Sequence, residues 1–282
     1  SLLTFVPFSL MALPRISSER QIALVIVLQT LAANLGSMCT PVGNPQNLYL
    51  YFYYGMDLGT FLSLLLPYTL VSLALLALSV FLLPGTPIPM SARLAARRTR
   101  NLPVLAPPRQ LWLLGGMFSL SLLTVAHVLD YRLTLAIVAA VTALTRPRYF
   151  RYADYRLLGT FVAFFVLIGN MSQLTAFREI LTGYLAGHEF LIALLASQII
   201  SNVPAAVLLS GFTDQGAALL LGTDIGGLGT LVASMASLIS YGMFVRACPR
   251  QQGWYLKLFT LLNLAYLLVL VLFAWLYDPY LY

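Results

Sequence analysis

The sequence predicts an all-α polytopic membrane protein, built from inverted repeats with broken transmembrane helices and re-entrant hairpins. Three observations carry that expectation. The 282 residues are 60% hydrophobic and only 9% charged, with a mean hydropathy of +0.87, whereas soluble domains carry about a quarter charged residues. The apolar runs recur at about the 20 residues needed to cross a bilayer. Two of these runs are interrupted by polar, helix-breaking clusters, and the clusters align with one another when one is shifted along the chain.

The first run, residues 1–14, is apolar from its first residue, with neither a basic region nor a small-residue cleavage pattern, so a cleavable signal is not expected here. It is followed by Arg15 and Arg20, then by the run 21–54, which contains "NLGSMCTPVGNPQN", and by Asp57. After the run 61–83, residues 84–110 hold Arg93, Arg97, Arg98, Arg100 and Arg109 with no acid. The positive-inside rule places such a loop in the cytoplasm. Two runs, 111–128 and 133–145, return the chain to a second basic segment, 146–156, with Arg146, Arg148, Arg151 and Arg156.

The run 157–177 then leads outward to Arg178, Glu179 and Glu189, while 246–257, with Arg246, Arg250 and Lys257, belongs inside again. Two runs, 190–212 and 215–245, separate these points, so one of them does not cross. The first contains "SQIISNVPAAVLL", a polar break in mid-run, and is expected to be a re-entrant hairpin that enters and leaves on the outer side. The run 255–277 is the last span. On this topology every basic residue except Arg132 and Arg178 lies on the cytoplasmic side. The expected division is residues 1–83 as the second part of the first repeat, 84–110 as a cytoplasmic loop, and 111–282 as the second repeat.

The net charge of +7 reports this topology rather than a nucleic-acid partner, because the arginines lie between apolar runs instead of clustering on a soluble face. Cys39 and Cys248 are too few and too far apart for a disulfide framework or a zinc site. His127 and His188, at span ends, have no carboxylate or cysteine at ligand spacing, so no metal site is expected. No constellation of nucleophile, acid or metal ligands appears, since the histidines are isolated and no paired carboxylates lie in a span, which argues against an enzyme. No cofactor is expected beyond Na⁺ or H⁺ as a coupling ion.

The breaks are the informative elements. Asn34, Leu35, Gly36, Ser37 and Thr40 align with Asp224, Ile225, Gly226, Gly227 and Thr230, and Tyr51 with Tyr241. The first broken run goes outward and the second inward, so the repeats are inverted. That combination points to a secondary transporter with its binding site at the membrane midplane. Asp224 is the only acid inside an expected span, and an intramembrane carboxylate is a functional group by default, here with a cation or proton as partner. The competing role is a cap for a half-helix beginning near Gly226.

"GSMCTPVGNPQN", "SNVPAA" and "IGGLGT", in this order, resemble the ion transporter superfamily, which includes citrate transporter-like permeases, arsenite permeases and divalent anion:sodium symporters. The resemblance implies that each repeat supplies a re-entrant hairpin with Asn at its tip, facing a broken helix, and that scaffold helices form a homodimer. By position, Ser201 and Asn202 would be the outer hairpin tip, completed by the 223–234 break, while Gly43, Asn44 and Pro45 belong to the other half-site. Residues 1–14 resemble the returning arm of the inner hairpin, whose tip is expected before Ser1.

The expected anion-binding set is therefore Asn44, Pro45, Ser201, Asn202, Thr230 and Ser234, and the coupling-cation set is Gly43, Asn34, Ser37, Thr40, Thr223, Asp224 and Gly227. The expected function is secondary transport of a small anion by alternating access in the cell inner membrane, among lipids. No Arg or Lys lies at a span centre, so helix ends or co-bound cations must balance a multiply charged anion. The alternatives are arsenite efflux, cation/proton antiport and a non-transporting membrane scaffold.

Overall fold

A computed structural model describes residues 2–12, 18–82, 108–152, 155–171 and 173–278. Helices account for nearly all of them, with no strand among the described residues. In chain order they are α1 (Leu2–Ala12), α2 (Glu19–Ser37), α3 (Pro45–Tyr53), α4 (Leu58–Phe81), α5 (Pro108–Val125), α6 (Tyr131–Thr145) and α7 (Tyr155–Met171). The remainder are α8 (Thr175–Leu185), α9 (Glu189–Ile200), α10 (Asn202–Ser210), α11 (Gly216–Gly226), α12 (Met235–Ala247) and α13 (Gln252–Tyr277). Arg15 and residues 84–107, most of the expected cytoplasmic loop, lie outside the described residues.

The chain forms two compact units, residues 1–92 with 164–282, and residues 93–163. The smaller holds the expected scaffold spans α5 and α6, which pack on each other. Asp130 starts α6 by accepting a hydrogen bond from the Arg132 N–H at 2.7 Å. The larger unit holds the hairpins and the broken helices.

Local signals set the helix starts. Ser18 and Gln21 form a reciprocal capping box for α2, and Asp57 caps α4 by accepting from the Thr60 N–H at 3.0 Å. At about 1.5 Å per residue, the 24-residue α4 and 26-residue α13 are long enough to cross the hydrocarbon core. Leu66, Leu70 and Leu73 on α4, and Leu261, Leu268 and Leu272 on α13, are exposed, an outward apolar face suited to lipid.

The run 157–177 covers the end of one helix and the start of the next. The helix stops at Met171, where "GNMSQ" replaces apolar residues and the Gln173 N–H turns back to the Asn170 carbonyl at 3.2 Å. The next helix, α8, then meets α9 at a bend of 113°.

Residues 190–212 are a re-entrant hairpin. Helices α9 and α10 pack against each other around Ser201, and Thr213 Oγ1 donates to Glu189 Oε1 at 3.2 Å, so the chain enters and leaves at one end of the unit. The Tyr54 hydroxyl donates to the Thr213 carbonyl there at 2.9 Å, which puts the end of α3 at the same level. At the opposite end Arg20 lies over the Trp254 ring, 5.1 Å from its centroid. The chain thus turns back at Ser201 rather than continuing as one kinked helix through Pro204.

The packing is exchanged between repeats. Helix α10 rests on α11, the first half of its own broken helix, and on α3, the second half of the other. Helix α1 likewise rests on α2 and on α12. Each of these helices thus touches a half of both broken helices, as an inverted repeat requires. Gly222 and Gly226 permit the tight α9–α11 contact: a Cβ there would come within 2.5 Å of the Phe190 carbonyl oxygen and 2.9 Å of Ser197 Cβ.

Candidate functional site

The first break spans residues 38–44, between α2 and α3. Its sharp return requires Gly43, where a Cβ would lie 1.8 Å from the Ser37 carbonyl oxygen. Ser37 Oγ donates to Asn44 Oδ1 at 2.7 Å. Asn44 therefore spends its side-chain oxygen on Ser37, and the α3 N-terminus, with Pro45 first, has no side-chain cap. Asn47 Nδ2 reaches back to the Met38 carbonyl at 3.3 Å.

The second break spans residues 227–234, between α11 and α12. Gln198, on the hairpin's first arm, fills it. Its Nε2 donates to the carbonyls of Gly226 (2.8 Å) and Leu228 (3.0 Å), and its Oε1 accepts from the Thr230 N–H at 3.0 Å. Gly229 adopts φ +101°, and a Cβ there would strike Gln198 Oε1 at 2.3 Å. The hairpin tip is fastened to the same break, because the Asn202 N–H and the Ser201 hydroxyl both donate to the Ala233 carbonyl, at 3.0 and 3.4 Å. Ser201 itself adopts φ +74°, a region L-residues occupy at a cost of about 1–3 kcal/mol unless the surroundings hold them there.

Among the bonds that cross between the repeats, two tie the broken helices to each other beside the breaks. Ser234 Oγ donates to Asn34 Oδ1 at 3.0 Å, and Gln46 Nε2 donates to Asp224 Oδ1 at 3.0 Å. Asp224 is 7% exposed and lies in the last turn of α11, where the helix dipole is negative. Its Oδ2 has no hydrogen-bond partner, and neither do Asn34 Nδ2 and Asn47 Oδ1. Only amide side chains act on this carboxyl: Gln46, Asn47 and Asn44.

The expected residues thus fall into three groups. Asn34, Ser37, Asn44, Ser234 and Asp224 are brought together across the two breaks, with Gly43 and Pro45 shaping the first. Ser201, Asn202 and Gly227 form the tip contact, where a Cβ on Gly227 would meet Asn202 Nδ2 at 2.9 Å. Thr40, Thr223 and Thr230 are not directed at the centre. Thr40 is exposed. The Thr223 hydroxyl bonds the Leu219 and Leu220 carbonyls of its own helix, and the Thr230 hydroxyl bonds the Gln198 carbonyl.

The capping role for Asp224 is excluded. The half-helix after the break begins at Met235, and Ser234 caps it by accepting from the Ala236 N–H at 3.2 Å. Asp224 lies on the other side of the break, at a helix end that a carboxylate does not cap. Sequence reasoning missed Gln46, Asn47 and Gln198. The first two stand inside "GNPQN" and the third beside the tip in "SQIISN", so proximity to the motifs was the available signal.

A family profile described as Citrate transporter matches residues 3–213, which takes in the first break and the hairpin. Inner membrane protein YbiR of Escherichia coli K12 is 30% identical over 241 residues, covering 84% of this chain and 62% of its own length. The uncharacterized transporter MJ0456 of Methanocaldococcus jannaschii is 31% identical over 257 residues, covering 89% and 66%. The chain therefore spans less than two thirds of the length of these relatives. No solved structure matches it. With an all-helical membrane fold, two crossed helix breaks and a match over most of its length, the chain belongs to the citrate transporter family.

Proposed function

We propose that the protein is a secondary active transporter of a small anion, a carboxylate or inorganic oxyanion, coupled to Na⁺ or H⁺ and working by alternating access in the cell inner membrane. The observation that carries this reading is the pair of crossed bonds, Ser234–Asn34 and Gln46–Asp224. They set the two breaks against each other with an unpartnered donor, Asn34 Nδ2, on one side and an unpartnered acceptor, Asp224 Oδ2, on the other. The uncapped α3 N-terminus adds backbone donors and a positive dipole end for the anion. Ser234 already occupies the corresponding end of α12, so the anion binds toward the first repeat.

In this reading the loops 84–110, 146–156 and 246–257 face the cytoplasm, and the working assembly is a homodimer among membrane lipids. Asp224, where the first repeat has an amide, favours cation/proton antiport as the second reading, with arsenite efflux beside it. Reconstituted protein in liposomes, screened with di- and tricarboxylates, inorganic oxyanions and arsenite under Na⁺ or pH gradients, tests the choice. Gradient-driven accumulation of an anion is expected. Na⁺/H⁺ exchange without anion uptake replaces it with antiport, and the absence of all flux leaves the scaffold role.

A further inference from the structure

The transport reading leaves the coupling ion open between Na⁺ and H⁺, and the surroundings of Asp224 distinguish them. Helices α9, α10 and α3 pack against α11, as do α2, α4 and α13. Their ionisable groups are Glu189 on α9, Tyr49, Tyr51 and Tyr53 on α3, Glu19 and Arg20 on α2, Tyr68 on α4, and Tyr255, Lys257, Tyr266 and Tyr277 on α13; α10 has none. Among the described residues none of these acts on Asp224, which is faced by the amides of Gln46, Asn47 and Asn44. A buried carboxylate in that setting has no counter-charge, and the α11 C-terminus adds negative potential.

Sodium needs several oxygens converging on it, yet the Gln46 amide directs its N–H at this carboxylate, presenting positive hydrogens where a cation would sit. A proton needs one oxygen and one acceptor. Asp224 Oδ2 and Asn47 Oδ1 are both buried oxygens without a partner, and the Asn47 side chain lies beside the carboxyl.

We propose that Asp224 Oδ2 is the binding site of the coupling proton, with Gln46 and Asn47 of the opposite repeat as its positioning residues. A proton from water on the open side forms one O–H bond and leaves a neutral carboxyl. Oδ1 keeps its bond from Gln46, and the new O–H donates to Asn47 Oδ1. Release to the other side reverses the step. The word coupling rests on the transport reading, whereas proton binding does not.

Infrared difference spectroscopy of the purified chain in lipid nanodiscs, stepped from acid to alkaline pH, tests the site. The expected signal is a protonated-carboxyl C=O stretch that vanishes on alkalinisation, is lost in Asp224→Asn and is kept in Glu189→Gln. Should Asp224→Asn fold poorly, Asn47→Ala serves instead, because removing the acceptor shifts the frequency of that band without removing the carboxyl. The proposal is overturned by a band that persists in Asp224→Asn, by a frequency indifferent to Asn47→Ala, by the lack of a titrating band, or by loss of the band when Na⁺ replaces K⁺ at fixed acid pH. Uptake is measured on the same preparations. A titrating band without flux retires transport alone, and pH-driven uptake without the band retires the proton site alone.

Discussion

Asn34 and Asp224 are held alike: each accepts one side-chain hydrogen bond, at 3.0 Å, from the opposite repeat's second half-helix, Asn34 from the Ser234 N-cap and Asp224 from Gln46 in the first turn of α3. The two residues align in the internal repeat, yet one is an amide with a free donor and the other a carboxyl with a free oxygen. The same frame therefore presents opposite chemistry to the two sides of one site.

Replacing the donor isolates the anion side. Asn34→Ala removes Nδ2, and a hydrogen bond to a charged group is worth about 1.5–3 kcal/mol, so the KM for the anion rises about tenfold or more. The pH dependence of uptake stays as in the wild type, because Asp224 is untouched. Initial-rate uptake at several pH values checks both statements.

The second break depends on one side chain. Gln198→Ala withdraws the partners of the Gly226 and Leu228 carbonyls and of the Thr230 N–H, and each buried polar group left unpaired costs about 1–3 kcal/mol. A lowered Tm in detergent is expected, together with loss of protection from hydrogen exchange over residues 226–233. An unchanged Tm would mean that the tip and the break hold without it.

Two glycines in the first broken helix behave oppositely. Gly43→Ala drives a Cβ into the Ser37 carbonyl, whereas a Cβ at Gly36 meets nothing within 4 Å. Uptake is expected to collapse in the first variant and persist in the second, which gains up to about 1 kcal/mol from helix propensity. Equal uptake in the two would detach the shape of the first break from function.

Labelling from the two faces checks the hairpin and the orientation. Cys248 is a poor reporter: it is buried, and burial, with the Glu19 carboxylate adding to it, pushes its thiol up. Gly216 packs on the Tyr54 ring and is no better. Cysteines at the exposed Ala186 and Gln215 are expected to react together from outside, and one at Gln252 only from the cytoplasm. Labelling of Ala186 and Gln215 from opposite faces would sink the re-entrant hairpin.

Acid should loosen the start of α4. The Thr60 hydroxyl, then its N–H, hold the exposed Asp57 carboxyl below its ordinary value. A depressed folded-state pKa means that the cap's contribution is present above the unfolded pKa and fades as pH falls through the folded one. Exchange of the first-turn amides of α4 is expected to quicken on acidification into that window, and Asp57→Asn to abolish the pH dependence.

Hydropathy placed the long helices within about three residues, 61–83 against Leu58–Phe81 and 255–277 against Gln252–Tyr277, because lipid exposure selects for uninterrupted apolar sequence. Charge parity pointed to a turn-back within 190–212, where the two helices do pack as a hairpin. The 157–177 run was read as one element because a length criterion does not see the helix end at Met171. The polar partners were harder to read. Gln46 bonds Asp224 from 178 positions away, and neutral amides carry no charge signal; their importance comes from which acceptors lack partners once the breaks are brought together. Cys248 shows the same limit, lying in a basic segment yet shielded by packing.

If Asp224 carries the coupling proton, the absence of an ionised neighbour among the described residues sets how transport would respond to membrane potential. With the carboxylate bare and no substrate bound, the site carries one negative charge. With a proton on Oδ2 and a monovalent anion beside Asn34, it again carries one. The outward and return journeys then move the same charge, and turnover on a monoanion is electroneutral. A dianion adds one uncompensated charge on the loaded leg, worth about 2.3 kcal/mol per 100 mV across the full field. On that reading voltage separates the substrates by valence, and the protonation state of a di- or tricarboxylic acid in the surrounding medium decides whether the cell's electrical gradient resists its entry.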